Sequence, residues 1–172
     1  MPKTIAVLML VVAAAAASAD LVNGDFEAPA LEPWVVFQSE GVTPRMELTG
    51  QPQVLKMQAS GPAKGFAGVY QTQPARAGQR YQFTVLTKVT ETGVGRGQIS
   101  LEWLSDDNRE IGRVWGPHWP LNETDRVWQE HFVRGTAPEG ATQLRVVVTL
   151  FFDDEAGATG VVLVDDATLT KP

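Results

Sequence analysis

Two stretches of the chain concentrate hard oxygen donors. Near the start, Leu21-Val22-Asn23-Gly24-Asp25-Phe26-Glu27 sets Asn23, Asp25 and Glu27 around a flexible glycine, among the strand-forming residues Leu21, Val22 and Phe26. Near the end, the apolar run Val161 to Val164 passes directly into Asp165 and Asp166, then Ala167, Thr168 and Leu169. A strand rich in Val and Leu has little reason to carry adjacent carboxylates unless something compensates their charge. The two stretches are predicted to be the first and last strands, lying side by side with a hard cation held where they meet.

A second kind of chemistry lies in the aromatic residues. Trp115-Gly116-Pro117-His118-Trp119-Pro120 places two indoles, an imidazole and two prolines in one short segment. Prolines exclude it from the centre of a sheet, so it is predicted to be a rigid loop that presents large flat side chains. A sugar ring offers a face of C–H groups that stacks on an indole or phenol, while its hydroxyls need polar side chains nearby. Trp115 and Trp119 are the candidate platforms, with His118 between them as a hydroxyl partner. Trp34 and Trp128 sit in apolar patterns and are predicted to be core. Tyr70 and Trp103 fit either role, Trp103 because its face-mates Ile99 and Leu101 read as buried. Gln82, Thr84, Lys88, Glu102, Gln143 and Arg145 fall opposite the apolar faces of their strands and suit hydroxyl recognition. Phe151 shares the polar side of its strand and is a further platform candidate.

Catalytic signatures are sparse. The sequence has two histidines and no cysteine. His118 and His131 have no helical metal-ligand spacing, and no Gly-x-Ser-x-Gly elbow occurs. Carboxylate pairs such as Glu102 with Glu130 or Asp106 have the composition of a glycosidase pair. Any acidic β-protein offers such pairs by chance, and the chain is read as a non-enzyme.

Residues 1–19 read as a secretion signal: Lys3, an apolar run from Ile5, and the small-residue site Ala17-Ser18-Ala19, leaving Asp20 as the mature N-terminus. The run is too short for a membrane span, which needs roughly 20 apolar residues. The product is expected outside the cytoplasm, secreted or periplasmic. Residues 20–172 then form one domain of 153 residues, large enough for a core without disulfides. Residues 1–19 carry one lysine and no other charge, so their removal takes the net charge from −6 to −7. Such a domain repels nucleic acid and anionic lipid, and neutral or weakly charged ligands suit it better. It is expected to act as a monomer.

The elements that must position these residues are strands. Tyr81, Phe83, Val85, Thr87 and Val89 alternate with Gln82, Thr84, Leu86 and Lys88. Ile99, Leu101 and Trp103 alternate with Ser100 and Glu102. Leu144, Val146, Val148 and Leu150 alternate with Gln143, Arg145, Val147, Thr149 and Phe151. Gly and Pro punctuate the chain at short intervals, and no helical period follows the signal. Nine or ten strands are predicted, in an all-β, two-sheet β-sandwich of jelly-roll type, with an immunoglobulin-like sandwich as the alternative.

Short motifs carry a resemblance. Asn23-Gly24-Asp25-Phe26-Glu27 followed by Trp34, Gly78-Gln79-Arg80-Tyr81-Gln82-Phe83, Ala137-Pro138-Glu139-Gly140-Ala141 and the closing Val164-Asp165-Asp166-Ala167-Thr168-Leu169 resemble, in that order, the carbohydrate-binding modules of the family 4, 9, 16 and 22 group. These have a galactose-binding-domain-like jelly roll. The resemblance implies a structural calcium taken by Glu27 and Asp165, with backbone carbonyls near Asp25 and in the turn around Gly50 completing the shell. It implies a secreted, non-catalytic module that binds a polysaccharide of β-glucan or xylan type by stacking and hydrogen bonds. Such modules are usually tethered to a hydrolase. The alternative is a secreted structural or adhesion module of the same fold that binds protein or cell-surface material with its aromatics buried.

Overall fold

Alternating apolar residues can bury one face of a strand only if a second layer covers it, and two sheets satisfy each other in this way. The computed structural model describes residues 21–172. The signal assigned to residues 1–19 and the mature terminus at Asp20 lie outside the described residues. Among the described residues eleven strands form: β1 (Val35–Gln38), β2 (Thr43–Thr49), β3 (Val54–Gly61), β4 (Phe66–Pro74), β5 (Arg80–Glu91), β6 (Arg96–Leu104), β7 (Glu110–Pro120), β8 (Gln129–Thr136), β9 (Gln143–Phe151), β10 (Gly157–Ala158) and β11 (Val161–Thr170). No helix occurs among the described residues. One sheet has the order β1-β4-β9-β6-β7, and the other runs β10-β3-β11-β5-β8, with β2 on the far edge of β3. All these pairings are antiparallel. The architecture is the all-β jelly-roll sandwich that the alternation predicts.

The core lies between the sheets. Phe83 and Val85 of β5 and Val162 and Val164 of β11 face Ile99 and Leu101 of β6 and Leu144, Val146 and Val148 of β9, all fully buried. Burying side chains of this size contributes about 1.5–3 kcal/mol each. Trp103 packs on Tyr81 across the gap, ring centroids 5.6 Å apart. Trp34 is core, as predicted, at 5.4 Å from Phe26. Trp128 is not: it stands 37% exposed just before β8.

The start of the chain departs from the sequence reading. Leu21–Glu27 is not a strand but a succession of turns, with Asn23 and Phe26 both at φ 53°. These turns drop Leu21 and Phe26 into the core. The Trp34 indole N–H holds the turn by donating to the Asn23 carbonyl at 2.9 Å. The last strand forms where predicted, but it is interrupted. Between Asp165 and Thr168 it carries one residue more than β5 opposite, a β-bulge with Asp166 at φ 47°. At this bulge the two termini meet, and Ala167 N–H donates to the Gly24 carbonyl at 2.8 Å. The approach leaves no space at Gly24, where a Cβ would stand 2.2 Å from the Ala167 carbonyl oxygen.

The segment around Trp115–Pro120 also differs from its predicted state. It is the second half of β7, an edge strand, rather than a loop. An edge tolerates proline because one row of backbone N–H groups has no partner. Pro117 falls in a bulge, where the register slips between the pairs Gln98–His118 and Ser100–Trp115. In strict alternation residues 115 and 119 would share a face. The slip separates them, so Trp119 turns inward over Gly97 and stacks on His131 of β8, centroids 4.2 Å apart. The stack closes the open side of the sandwich between its two edge strands.

Two outcomes follow. Gly24→Ala drives a methyl group into backbone and is expected to cost about 1–3 kcal/mol, measured as a lower urea midpoint at unchanged m-value. Burial is the main cause that holds the His131 imidazole below its usual pKa, with nearby Asp125 opposing it. The unfolded chain therefore takes up this proton more readily, and stability falls as pH drops below about 6.5. In His131→Gln that loss between pH 6.5 and 5 should shrink, as read from urea midpoints across the range.

Candidate functional site

The outward face of the β1-β4-β9-β6-β7 sheet is not a plain solvated face. Register places its side chains in rows that cross the strands. One row runs Thr72, Arg145, Glu102, Arg113; the next Tyr70, Val147, Ser100, Trp115; the next Gly68, Thr149, Gln98, His118. Val147, Ser100, Thr149 and Glu102 are buried although they point away from the core. Aromatic and arginine side chains line the same face.

Five rings form a chain along this face. Tyr70 lies 6.0 Å from Phe37, Phe37 6.1 Å from Phe66, Phe66 6.2 Å from Phe151, and Phe151 6.1 Å from Trp115 in an edge-on contact. Phe37 reaches over Gly68, whose missing side chain makes room: a Cβ there would come within 2.8 Å of the ring. Trp115 is 48% exposed and Phe66 37%. Four of the rings, Phe37, Phe66, Tyr70 and Phe151, border a cleft of about 260 Å³, with Glu102, Arg113, Arg145 and Thr149 in its lining.

Charge is arranged around Glu102, a carboxylate only 7% exposed. Burial pushes its carboxyl above the usual range, Arg113 and Arg145 pull the other way, and Glu110 adds to the rise. Arg113 reaches Glu102 at 2.9 Å and grips Glu110 through Nε at 3.0 Å and Nη2 at 2.7 Å. Arg145 Nη1 stands 3.8 Å from Glu102. The same guanidinium groups lie over rings: Arg113 on Trp115 and Arg145 on Tyr70, each 4.6 Å from the centroid, and Arg96 on Phe151 at 4.8 Å. Arg96 also pairs with Asp153. Two buried polar atoms belonging to this face, Ser100 Oγ and Arg145 Nε, have no hydrogen-bond partner. Such orphans are costly in a folded chain and mark a place for water or ligand.

The sequence candidates divide clearly. Tyr70, Glu102, Arg145 and Phe151 come together in the cleft, and Trp115 stands beside it, edge-on to Phe151. His118 is exposed on the same face and lines an adjoining hollow with Arg96, Gln98 and Asp153. Trp119 and Trp103 are buried at 6% and 2% exposure and offer no free ring face, so neither acts as a platform. Gln82 lies on β5 of the other sheet, where it accepts from Arg134, and cannot reach the cleft. Glu130, on β8 of that same sheet, does not pair with Glu102. Phe37, Phe66, Arg96 and Arg113 were missed. Phe37 and Phe66 sit in strands whose facing depends on long-range pairing, although the outward parity of Arg113 with Trp115 was readable.

The candidate cation site lies at the meeting of the termini. Glu27 Oε1 accepts from Gln53 N–H at 2.9 Å, which ties the opening turn to the turn that contains Gly50 at φ 93°. Burial, and then the charges of Asp166, Glu27 and Asp25, raise the Asp165 carboxyl above the usual range, against the Asp166 N–H that it accepts at 2.8 Å. None of these four carboxylates forms an ion pair among the described residues. Nor do three or more acidic or histidine side chains among the described residues converge in a ready metal-ligating group. The donors are hard oxygens that repel one another, which fits calcium in chemistry, with the backbone carbonyls left to close the shell.

No protein-family model matches the chain, and no curated protein matches it. Solved structures do share its fold. A family 4 carbohydrate-binding module superposes with a TM-score of 0.63 at 13% identity, over 88% of this chain and 99% of that one. The CBM22-2 xylan-binding domain of Paenibacillus barcinonensis Xyn10C gives 0.60 at 17% identity, over 87% and 98%. The CBM22-1–GH10 modules of Clostridium thermocellum endo-1,4-beta-D-xylanase 10B, complexed with xylohexaose, give 0.62 at 19% identity, over 90% of this chain. This chain spans 29% of that xylanase chain, and 21%, 63% and 27% of three other matched chains. The fold is thus the β-sandwich of carbohydrate-binding modules that the opening and closing motifs resemble.

Proposed function

We propose that this chain is a secreted, non-catalytic carbohydrate-binding module that holds a polysaccharide of β-glucan or xylan type along the outer face of β4, β9, β6 and β7. The observation that carries the reading is the chain of five rings beside a floor with an unpartnered buried hydroxyl, Ser100 Oγ. Rings supply stacking area, while Gln98, Thr149, Glu102 and Arg145 supply donors and acceptors for hydroxyls. The shared fold supports the reading, since the matched modules include a xylan-binding domain. The ion pairs around Glu102 occupy its carboxylate with arginines, which suits recognition better than proton transfer.

The calcium belongs to the same proposal. Glu27 and Asp165, with carbonyls near Asp25 and Gly50, would hold it, and the ion would neutralise the charges that raise the Asp165 carboxyl. Its role is to fasten the opening turn to the bulge of β11, away from the cleft.

An adhesion role has one observation in its favour. Val127, Trp128 and Phe132 stand exposed beside and on edge strand β8, where a protein partner could cover them.

Affinity electrophoresis in soluble β-glucan and xylan tests binding. The wild type should be retarded, and Trp115→Ala and Phe66→Ala should each weaken binding by about 2–10-fold, as expected for one ring contact. No retardation by any glycan, with capture of a protein partner lost on Trp128→Ala, would favour adhesion instead. For calcium, excess chelator should lower the melting temperature by about 5–10 °C relative to calcium at 100 times its Kd. Glu27→Ala or Asp165→Ala should abolish that difference, and identical melts with and without chelator would rule the ion out.

A further inference from the structure

The cleft differs from a bare aromatic platform in what lies over its rings. Guanidinium groups stand over Trp115, Tyr70 and Phe151. A ligand entering the cleft therefore meets arginine N–H groups as well as ring faces. Their electrostatic partners are unequal. Arg96 pairs with Asp153, and Arg113 is gripped by both oxygens of Glu110 and by Glu102. Arg145 has neither arrangement. Its nearest carboxylate oxygen, Oε2 of Glu102, is 3.8 Å away, beyond hydrogen-bonding reach, and the other oxygen of that carboxylate is held by Arg113. Its other side-chain acceptor among the described residues is the exposed Asn108 Oδ1 at 3.4 Å, and its Nε has none.

We propose that Arg145 makes this cleft selective for a polysaccharide that carries uronic acid, whose carboxylate takes the hydrogen-bonding place on the guanidinium that Glu102, at ion-pair distance only, leaves open. The inference rests on the polysaccharide-binding reading of the same cleft and names its ligand class. A guanidinium accepts a planar carboxylate through two parallel hydrogen bonds, which a neutral hydroxyl cannot match. Tyr70 beneath Arg145 holds the group in place, so little side-chain freedom is lost on binding. The chain's net charge of −6 opposes a polyanion at long range. At physiological ionic strength charges beyond about 8 Å are largely screened, and the local contact decides.

The test is calorimetric titration of the full chain with glucuronoxylan, and with the same polymer after its carboxylates have been reduced to alcohols. Intact polymer should bind about tenfold more tightly or better, the gain expected of a charge-assisted bidentate contact. Arg145→Gln, checked for an unchanged fold by its melting curve, should lose that preference. Arg145→Lys, which keeps the charge and loses the fork, should retain only part of it. Equal affinity of the wild type for both polymers overturns the uronate inference and leaves polysaccharide binding standing. Failure to bind either polymer, or any neutral glucan or xylan, overturns both.

Discussion

A carboxylate buried on the outward face of a sheet has to be compensated where it stands, and Glu102 is compensated by arginines from the strands on either side. β7 supplies Arg113 and β9 supplies Arg145. Both guanidinium groups are then in position to lie over a ring one row away, Trp115 and Tyr70. The ring faces, the floor and the polar lining are therefore one construction. Lone removal of Glu102 would leave Arg145 pressed against an aromatic ring without its nearest counter-charge and Arg113 with Glu110 alone, which is more costly than losing an exposed ion pair.

This construction needs a sheet that does not slip, because a shift of one residue would exchange the cleft for the core. The register is held from behind by the alternating Leu and Val residues of β9 and by Ile99, Leu101 and Trp103 of β6. It is held at the side by Trp119 against His131, which joins the edge strands of the two sheets. The meeting of Gly24 with Ala167 serves the opposite sheet and lies apart from the cleft, so the proposed calcium would act on rigidity rather than on recognition.

Much of this was legible in the sequence, wherever a strand alternates without interruption. The faces of β5, β6 and β9 follow from their residues alone, and with them Glu102, Arg145 and Phe151. What was hidden lies at irregularities. Trp119 departs from the sequence expectation because the bulge at Pro117 turns it inward, and a proline marks a loop and an edge-strand bulge alike. Leu21–Glu27 looked like a strand by composition, yet two positive φ angles make it a turn. Asp165 and Asp166 looked like misplaced charges, and part of their explanation is the bulge that Asp166 occupies. Phe37 and Phe66 became visible only once β1 was paired with β4 across Gly68, a long-range fact that local pattern does not contain.

The central claim is that ligand recognition happens on the outer face of the β4-β9-β6-β7 strands. It is tested most directly by titrating isotopically labelled protein with a soluble xylan oligosaccharide and mapping the amide shifts by NMR. The account predicts that the large shifts cluster at Tyr70, Ser100, Glu102, Trp115, Arg145 and Thr149. Shifts that cluster instead at Val127 to Phe132 on the opposite sheet would contradict it.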